Sequence, residues 1–130
     1  MKGVVTLKYI SSDDAPAAIG PYSQSIETNG LLFISGQTPV DPADGSVPSD
    51  VAAQARQCCE NVKVILDVAG IDFGHVVKTT CFLSDMAHFD AFNEVYASYF
   101  VSRPARSCVA VRELPLGIAC EVEVIATMRK

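Results

Sequence analysis

The segment Pro104-Ala105-Arg106-Ser107-Cys108 places an arginine at the head of a β-rich run. A guanidinium stays protonated near neutral pH and cannot act as a base. Its planar fork instead grips a carboxylate or phosphate through two parallel hydrogen bonds. Glu121 and Glu123 stand on a later, otherwise apolar run. Two residues apart on a strand, they point to the same face, and at least one is expected to be partly enclosed. Enclosure raises a carboxyl pKa and a nearby arginine lowers it. In either case a carboxylate facing an anion-binding arginine can hold or activate water. The residue types alone leave two plainer readings open: an internal salt bridge from Arg106 to Glu121 or Glu123, and a glutamate pair on a sheet edge.

Weaker signals surround these three. Tyr22 follows the rigid Gly20-Pro21 step, and a tyrosine can wall an apolar pocket while offering a hydroxyl. Ser35-Gly36-Gln37 ends a predicted strand, where a glycine lets a ligand approach the backbone. Asn93 is a polar residue among Phe89, Phe92 and Tyr96, either functional or turned to solvent. There is no Walker A sequence, Gly-x-Gly-x-x-Gly, Gly-x-Ser-x-Gly or His-Glu-x-x-His. His75 and His88 are expected at helix ends or on the surface. The five cysteines (Cys58, Cys59, Cys81, Cys108 and Cys120) are odd in number and lack ligand spacing. They read as small buried hydrophobes of a reducing compartment, and no metal site is expected.

These residues need a scaffold, and the pattern predicts one. Residues 4–10 suggest a first strand, and 11–21 carry turn chemistry. Asn29-Gly30 favours a type I′ turn pairing 22–28 with 31–35. After a proline-containing connection over 36–50, Val51, Ala55, Cys58, Val62, Ile65 and Ala69 recur at helical spacing. Ser49 or Asp50 can cap that helix, and Gly70 sits where a C′ residue belongs. Residues 76–83 form a strand. A second helix runs from a cap at Asp85 to near Phe100, burying Phe89, Phe92, Tyr96 and Tyr99 or Phe100. Residues 106–112 and 118–128 are two more strands, with Arg106 expected well inside the fold. The order β-β-β-α-β-α-β-β reads as one α+β domain over residues 1–130, a mixed sheet with two helices packed on one face. Apolar residues on both strand faces point to burial of the other face by self-association.

Composition narrows the function further. At 130 residues, with 49% hydrophobic and 19% charged, disorder is not expected. No apolar run approaches the roughly 18 residues that span a bilayer, and the start returns to charge too soon for a signal peptide. A cytoplasmic protein without membrane contact is expected. Ten basic against fifteen acidic residues give a net charge of −5, a field that opposes RNA or DNA.

Taken together, the segments resemble the RidA/YjgF (L-PSP) family. The residues that carry the resemblance are Ala17-Ala18-Ile19-Gly20-Pro21-Tyr22-Ser23-Gln24, Ile34-Ser35-Gly36-Gln37 with Pro39-Val40, and Ala52-Ala53-Gln54-Ala55 leading into Asn61-Val62. Val77-Lys78-Thr79-Thr80, Phe92-Asn93-Glu94-Val95-Tyr96, Pro104-Ala105-Arg106-Ser107 and Glu121-Val122-Glu123 with Ile125-Ala126 also match. The resemblance implies a chorismate-mutase-like fold, a homotrimer with clefts between subunits, and cofactor-independent hydrolysis of 2-imino acids to 2-oxo acids and ammonia. Such imines arise from pyridoxal-phosphate enzymes acting on serine and threonine. By the same resemblance Arg106 is the essential arginine, and Glu121 positions water. Tyr22, Ser35, Gly36, Asn93 and Cys108 line the cleft. The chain departs in the loop Val101-Ser102-Arg103, which is shorter than in such relatives and lacks their aromatic before the proline. That puts Arg103 at the expected cleft, widening it or favouring a more acidic substrate. Single-strand endoribonuclease activity and non-catalytic carboxylate sensing are the alternatives.

Overall fold

A computed structural model describes residues 3–130. The first strand is shorter than its sequence suggests: β1 covers only Lys8–Tyr9. Val4 and Val5 stay exposed, whereas Ile10 turns inward and its N–H donates to Ser25 O. The hairpin forms as the Asn-Gly pair dictates. Asn29 and Gly30 take φ of 51° and 77° between β2 (Ser25–Thr28) and β3 (Leu31–Gln37), with Ser25 opposite Ile34. Tyr22, expected inside the second strand, lies before it in a loop closed by Tyr22 N–H donating to Gly20 O.

Helix α1 (Val51–Ala69) begins where the Asp50 carboxylate accepts from Ala53 N–H at 2.7 Å and ends at Gly70 with φ 80°. Its apolar stripe is buried through Ala55, Cys58, Val62 and Ile65. Strand β4 (Val76–Leu83) follows a 3-10 turn at Phe73–His75, in which His75 meets Asp72 at 2.9 Å. Asp85 caps a further 3-10 turn, Met86–His88, rather than the second helix, so α2 begins only at Phe89 and runs to Tyr99. Phe92, Val95 and Tyr96 are buried from α2, while Phe89 and Tyr99 are only partly so. Phe100 is buried just beyond and stacks on Tyr96 with ring centres 4.3 Å apart. Strands β5 (Ala105–Ala110) and β6 (Cys120–Thr127) are joined through a 3-10 turn at Pro115–Gly117.

The six strands form one mixed sheet in the order β1-β2-β3-β6-β4-β5, antiparallel except for the β4–β5 pair that α2 connects. In β6, Cys120, Val122, Val124 and Ala126 are buried beneath the helices, as the period-two pattern requires. Glu121, Glu123, Ile125 and Thr127 face the other way. One expectation fails here. Arg106 is not deep in the fold, because β5 is an outer strand of the sheet and none of its positions is fully buried.

Four of the cysteines are buried, Cys108 is half-buried, and all five are free thiols. Burial pushes the thiols of Cys58 and Cys59 far up and that of Cys81 up to about 12, so they remain protonated fillers of the core.

Two buried amides interrupt the apolar stripe of α1. Asn61 donates through Nδ2 to Thr38 O and Val40 O, both at 2.9 Å. Gln54 donates to Pro48 O at 2.9 Å and accepts from Ala119 N–H at 2.7 Å. Each ties a loop that has no regular structure of its own to the rigid helix. Asn61→Ala leaves two enclosed carbonyls without donors. It is expected to cost about 3 kcal/mol, read as a lower midpoint in urea with an unchanged slope.

Candidate active site

Arg106 sits opposite Thr79 in the parallel β4–β5 pair, and so on the helix-covered face. Its guanidinium lies over the Tyr96 ring, 4.7 Å from the centroid, and 5.6 Å from that of Phe89. One nitrogen donates to Asn93 Oδ1 at 2.7 Å. Stacking and this single bond fix the plane of the group while leaving most of its five donors free. No internal salt bridge forms: among the described residues neither Glu121 nor Glu123 pairs with Arg106. Asn93 is therefore not a loose surface amide but the group that aims the arginine. Cys108, two residues along the same face, has its thiol pushed up by burial, with Arg106 opposing, and is no thiolate nucleophile at neutral pH.

Glu121 is opposite Phe82 in the β4–β6 pair, on the face away from the helices. It is half-buried, and that burial, aided by repulsion from Glu123, raises its carboxyl pKa. Glu123 is exposed, as one of the two was expected to be. The Glu121 side chain occupies the space that a Cβ on Gly36 would need. Such a carbon would fall 2.9 Å from its Cδ and closer still to a carboxylate oxygen. Gly36 thus makes room for the Glu121 side chain, a different use of the glycine from the approach of a ligand to the backbone that Ser35-Gly36-Gln37 suggested.

Around Glu121 lies a cavity of about 690 Å³ lined by Tyr22, Ser35, Gly36, Gln37 and the exposed Leu116 among others. The Ser35 hydroxyl donates to Ser23 O at 2.6 Å, which leaves its lone pairs for other donors. Gln37 is buried and donates to Ser35 O at 3.0 Å, while its Oε1 has no partner among the described residues. Gln24, also buried, ties Ser12 in both directions (2.8 and 3.0 Å) and donates to Pro16 O at 2.9 Å, closing the wall that carries residues 12–16. Sequence reasoning passed over Gln24, Gln37, Gln54 and Asn61 as site-building residues. For Gln54 and Asn61 a signal existed, since both stand within one helical turn of stripe positions where an apolar residue is the rule. For Gln24 and Gln37 there was none.

The site residues thus fall into two groups that one chain does not bring together. Tyr22, Ser35, Gly36 and Glu121 gather on the open face of the sheet, and Asn93, Arg106 and Cys108 on the helix face at the β5 edge. Asn93 and Arg106 of the second group open on a separate cavity of about 660 Å³, which Cys108 does not line. One half offers an anion-binding fork, the other a carboxyl able to exchange protons with water. Among the described residues no three of His, Cys, Asp and Glu come together as metal ligands, and no helix is long and apolar enough to cross a membrane.

Comparison with known proteins supplies the context. The profile of the endoribonuclease L-PSP family matches residues 12–128. A 2-iminobutanoate/2-iminopropanoate deaminase of Escherichia coli K12 is 47% identical over 126 residues, spanning 94% of this chain and 98% of that protein. The structure of the E. coli YjgF gene product superposes with a TM-score of 0.89 at 46% identity, covering 94% of this chain and 99% of the other. That of E. coli TdcF with bound serine superposes at 0.90 and 43% identity, covering 95% and 99%.

Proposed function

The chain belongs to the endoribonuclease L-PSP family, and from that premise we propose that it hydrolyses reactive 2-imino acids and their enamines, 2-iminobutanoate and 2-iminopropanoate among them, to 2-oxo acids and ammonia. The observation that carries this reading is the state of Arg106. It is stacked, held by Asn93 and without another partner among the described residues, which is the arrangement a substrate carboxylate fits.

The reaction asks little beyond positioning. A protonated imine is already an electrophile. Arg106 binds the carboxylate and presents the imine carbon. Glu121 takes a proton from the attacking water and returns it to the nitrogen, the C–N bond breaks as the new hydroxyl becomes the oxo group, and nitrogen leaves as ammonia. No electrons are transferred, so the step as written requires no redox group. Backbone groups near Gly36 and Cys108 hold the substrate, with Tyr22 walling the pocket. Positioning of this kind contributes several kcal/mol, up to about 7–11 in favourable cases.

Since Arg106 and Glu121 face opposite sides of one sheet, we propose that the working site joins Arg106 of one copy to Glu121 of another, in clefts of a homotrimer. The open sheet face supports self-association: Phe33 and Val109 stay 41% and 44% exposed there, beside Phe82 and Ile125. The first test is whether purified protein shortens the lifetime of 2-iminobutanoate while releasing ammonia. Cleavage of single-stranded RNA without imine turnover would favour the ribonuclease alternative instead.

The raised pKa of Glu121 predicts a pH profile. The group acts as a base only when ionised, so kcat/KM is expected to fall as pH drops through a value above the ordinary 4.5. Glu123→Gln removes the like charge, favours ionisation and should move that acid limb to lower pH. A limb unmoved by Glu123→Gln would count against Glu121 as the base.

A further inference from the structure

Two arginines, Arg103 and Arg106, line the cavity at the β5 edge, and among the described residues no acidic residue lines it. Neither forms an ion pair with an acidic residue among those described. Like charges gathered at one concavity repel each other, and a ligand with two negative groups would relieve that repulsion. One substrate carboxylate accounts for Arg106 and leaves Arg103 unexplained.

The loop that carries Arg103 is built rather than slack. Arg103 takes φ 52°, a left-handed conformation that disfavours side chains larger than glycine's. Its N–H donates to Phe100 O at 3.1 Å, and the neighbouring Ser102 hydroxyl donates to Val76 O at 2.7 Å. Phe100 is itself buried and stacked on Tyr96, the ring beneath Arg106. Phe100 thus holds the backbone of Arg103 through its carbonyl and stacks on the ring beneath Arg106, so one aromatic pair sets where both residues stand on the cavity rim.

Resting on the imine hydrolysis proposed above, we propose that Arg103 binds a second carboxylate and directs the enzyme to 2-imino dicarboxylic acids such as 2-iminosuccinate and 2-iminoglutarate. The chemistry is unchanged. Water oxygen bonds to C2, both protons of the water pass to the nitrogen, the C–N bond breaks, and the nitrogen departs as ammonia. 2-Oxoglutarate forms from 2-iminoglutarate, and oxaloacetate from 2-iminosuccinate. The distal carboxylate takes no part in bond making. The reaction that supplies such substrates oxidises an acidic amino acid at its α-carbon or eliminates a β-substituent from one.

Titration calorimetry with the product-like 2-oxoglutarate and 2-oxobutanoate reads the selection without any turnover. The unmodified protein is expected to bind 2-oxoglutarate at least about tenfold more tightly, the effect of one charge-assisted contact. Arg103→Gly keeps the positive φ without steric cost and removes the charge. With Arg103→Gln as a second variant, it should lower that preference by about tenfold, and the KM ratio of 2-iminoglutarate to 2-iminobutanoate should shift by a similar factor. Equal binding of the two oxo acids, or an unchanged preference in Arg103→Gly, would overturn the proposal and leave imine hydrolysis standing. Selective 2-oxoglutarate binding with neither imine hydrolysed would overturn the catalytic reading and uphold the second-carboxylate site.

Discussion

Arg106→Ala is expected to lower kcat/KM for 2-iminobutanoate by about 100- to 1,000-fold, with folding little disturbed. The loss corresponds to about 3–4 kcal/mol, that of a bidentate charge-assisted pair. Folding should suffer far less, because the side chain is half-buried and its contacts amount to one hydrogen bond and a cation–π stack, together worth about 1–2 kcal/mol. Arg106→Lys keeps the charge but not the planar fork that lies over Tyr96, and should recover only part of the activity. The same variant tests how the site is assembled. Arg106→Ala and Glu121→Gln chains, each inactive alone, should regain activity when unfolded together and refolded as mixed assemblies. Some clefts then combine the intact Arg106 of one chain with the intact Glu121 of the other. Mixed assemblies as silent as their parents would defeat the shared-site proposal.

Gly36→Ala is the second large effect, and it acts through a residue it does not replace. The added methyl group needs the space held by the Glu121 carboxylate, with Cδ within 2.9 Å of it. The glutamate must swing away or the strand must shift. A drop in kcat of about 100-fold is expected, with KM changed much less, because the carboxylate anchor at Arg106 is untouched. Stability should change much less, because what meets the methyl group is the far end of a flexible side chain. Glu121→Asp in the Gly36→Ala background shortens the displaced side chain and should restore a fraction of the turnover. Full activity in Gly36→Ala alone would mean that Glu121 does not work from its observed position.

The architecture was legible because its signals are local and periodic. The Asn29-Gly30 turn, the Asp50 and Gly70 ends of α1 and the two-residue alternation of β6 each follow from neighbouring residues, and each is present. What the sequence could not convey depends on which strands become neighbours. The order β3-β6-β4-β5 leaves β5 outermost, so the strand expected to be interior is an edge. The register, with Arg106 opposite Thr79 and Glu121 opposite Phe82, turns the two to opposite faces, which cancels the salt bridge that their charges allowed. Asn93 was ambiguous for a related reason, since its partner is thirteen residues away on another element. The 4–10 run fell short because strand propensity without a packing surface does not hold a ladder. Candidate residue types were therefore readable, but their grouping into two half-sites was not.

That division has a kinetic corollary. If each half-site needs a second chain to complete it, a lone folded subunit is inert, and turnover becomes a collective property that appears only above a threshold concentration. Specific activity should then decay on dilution faster than any loss of secondary structure, and return on reconcentration. The abundance of the protein would act as its own on-switch, with no ligand or modification involved.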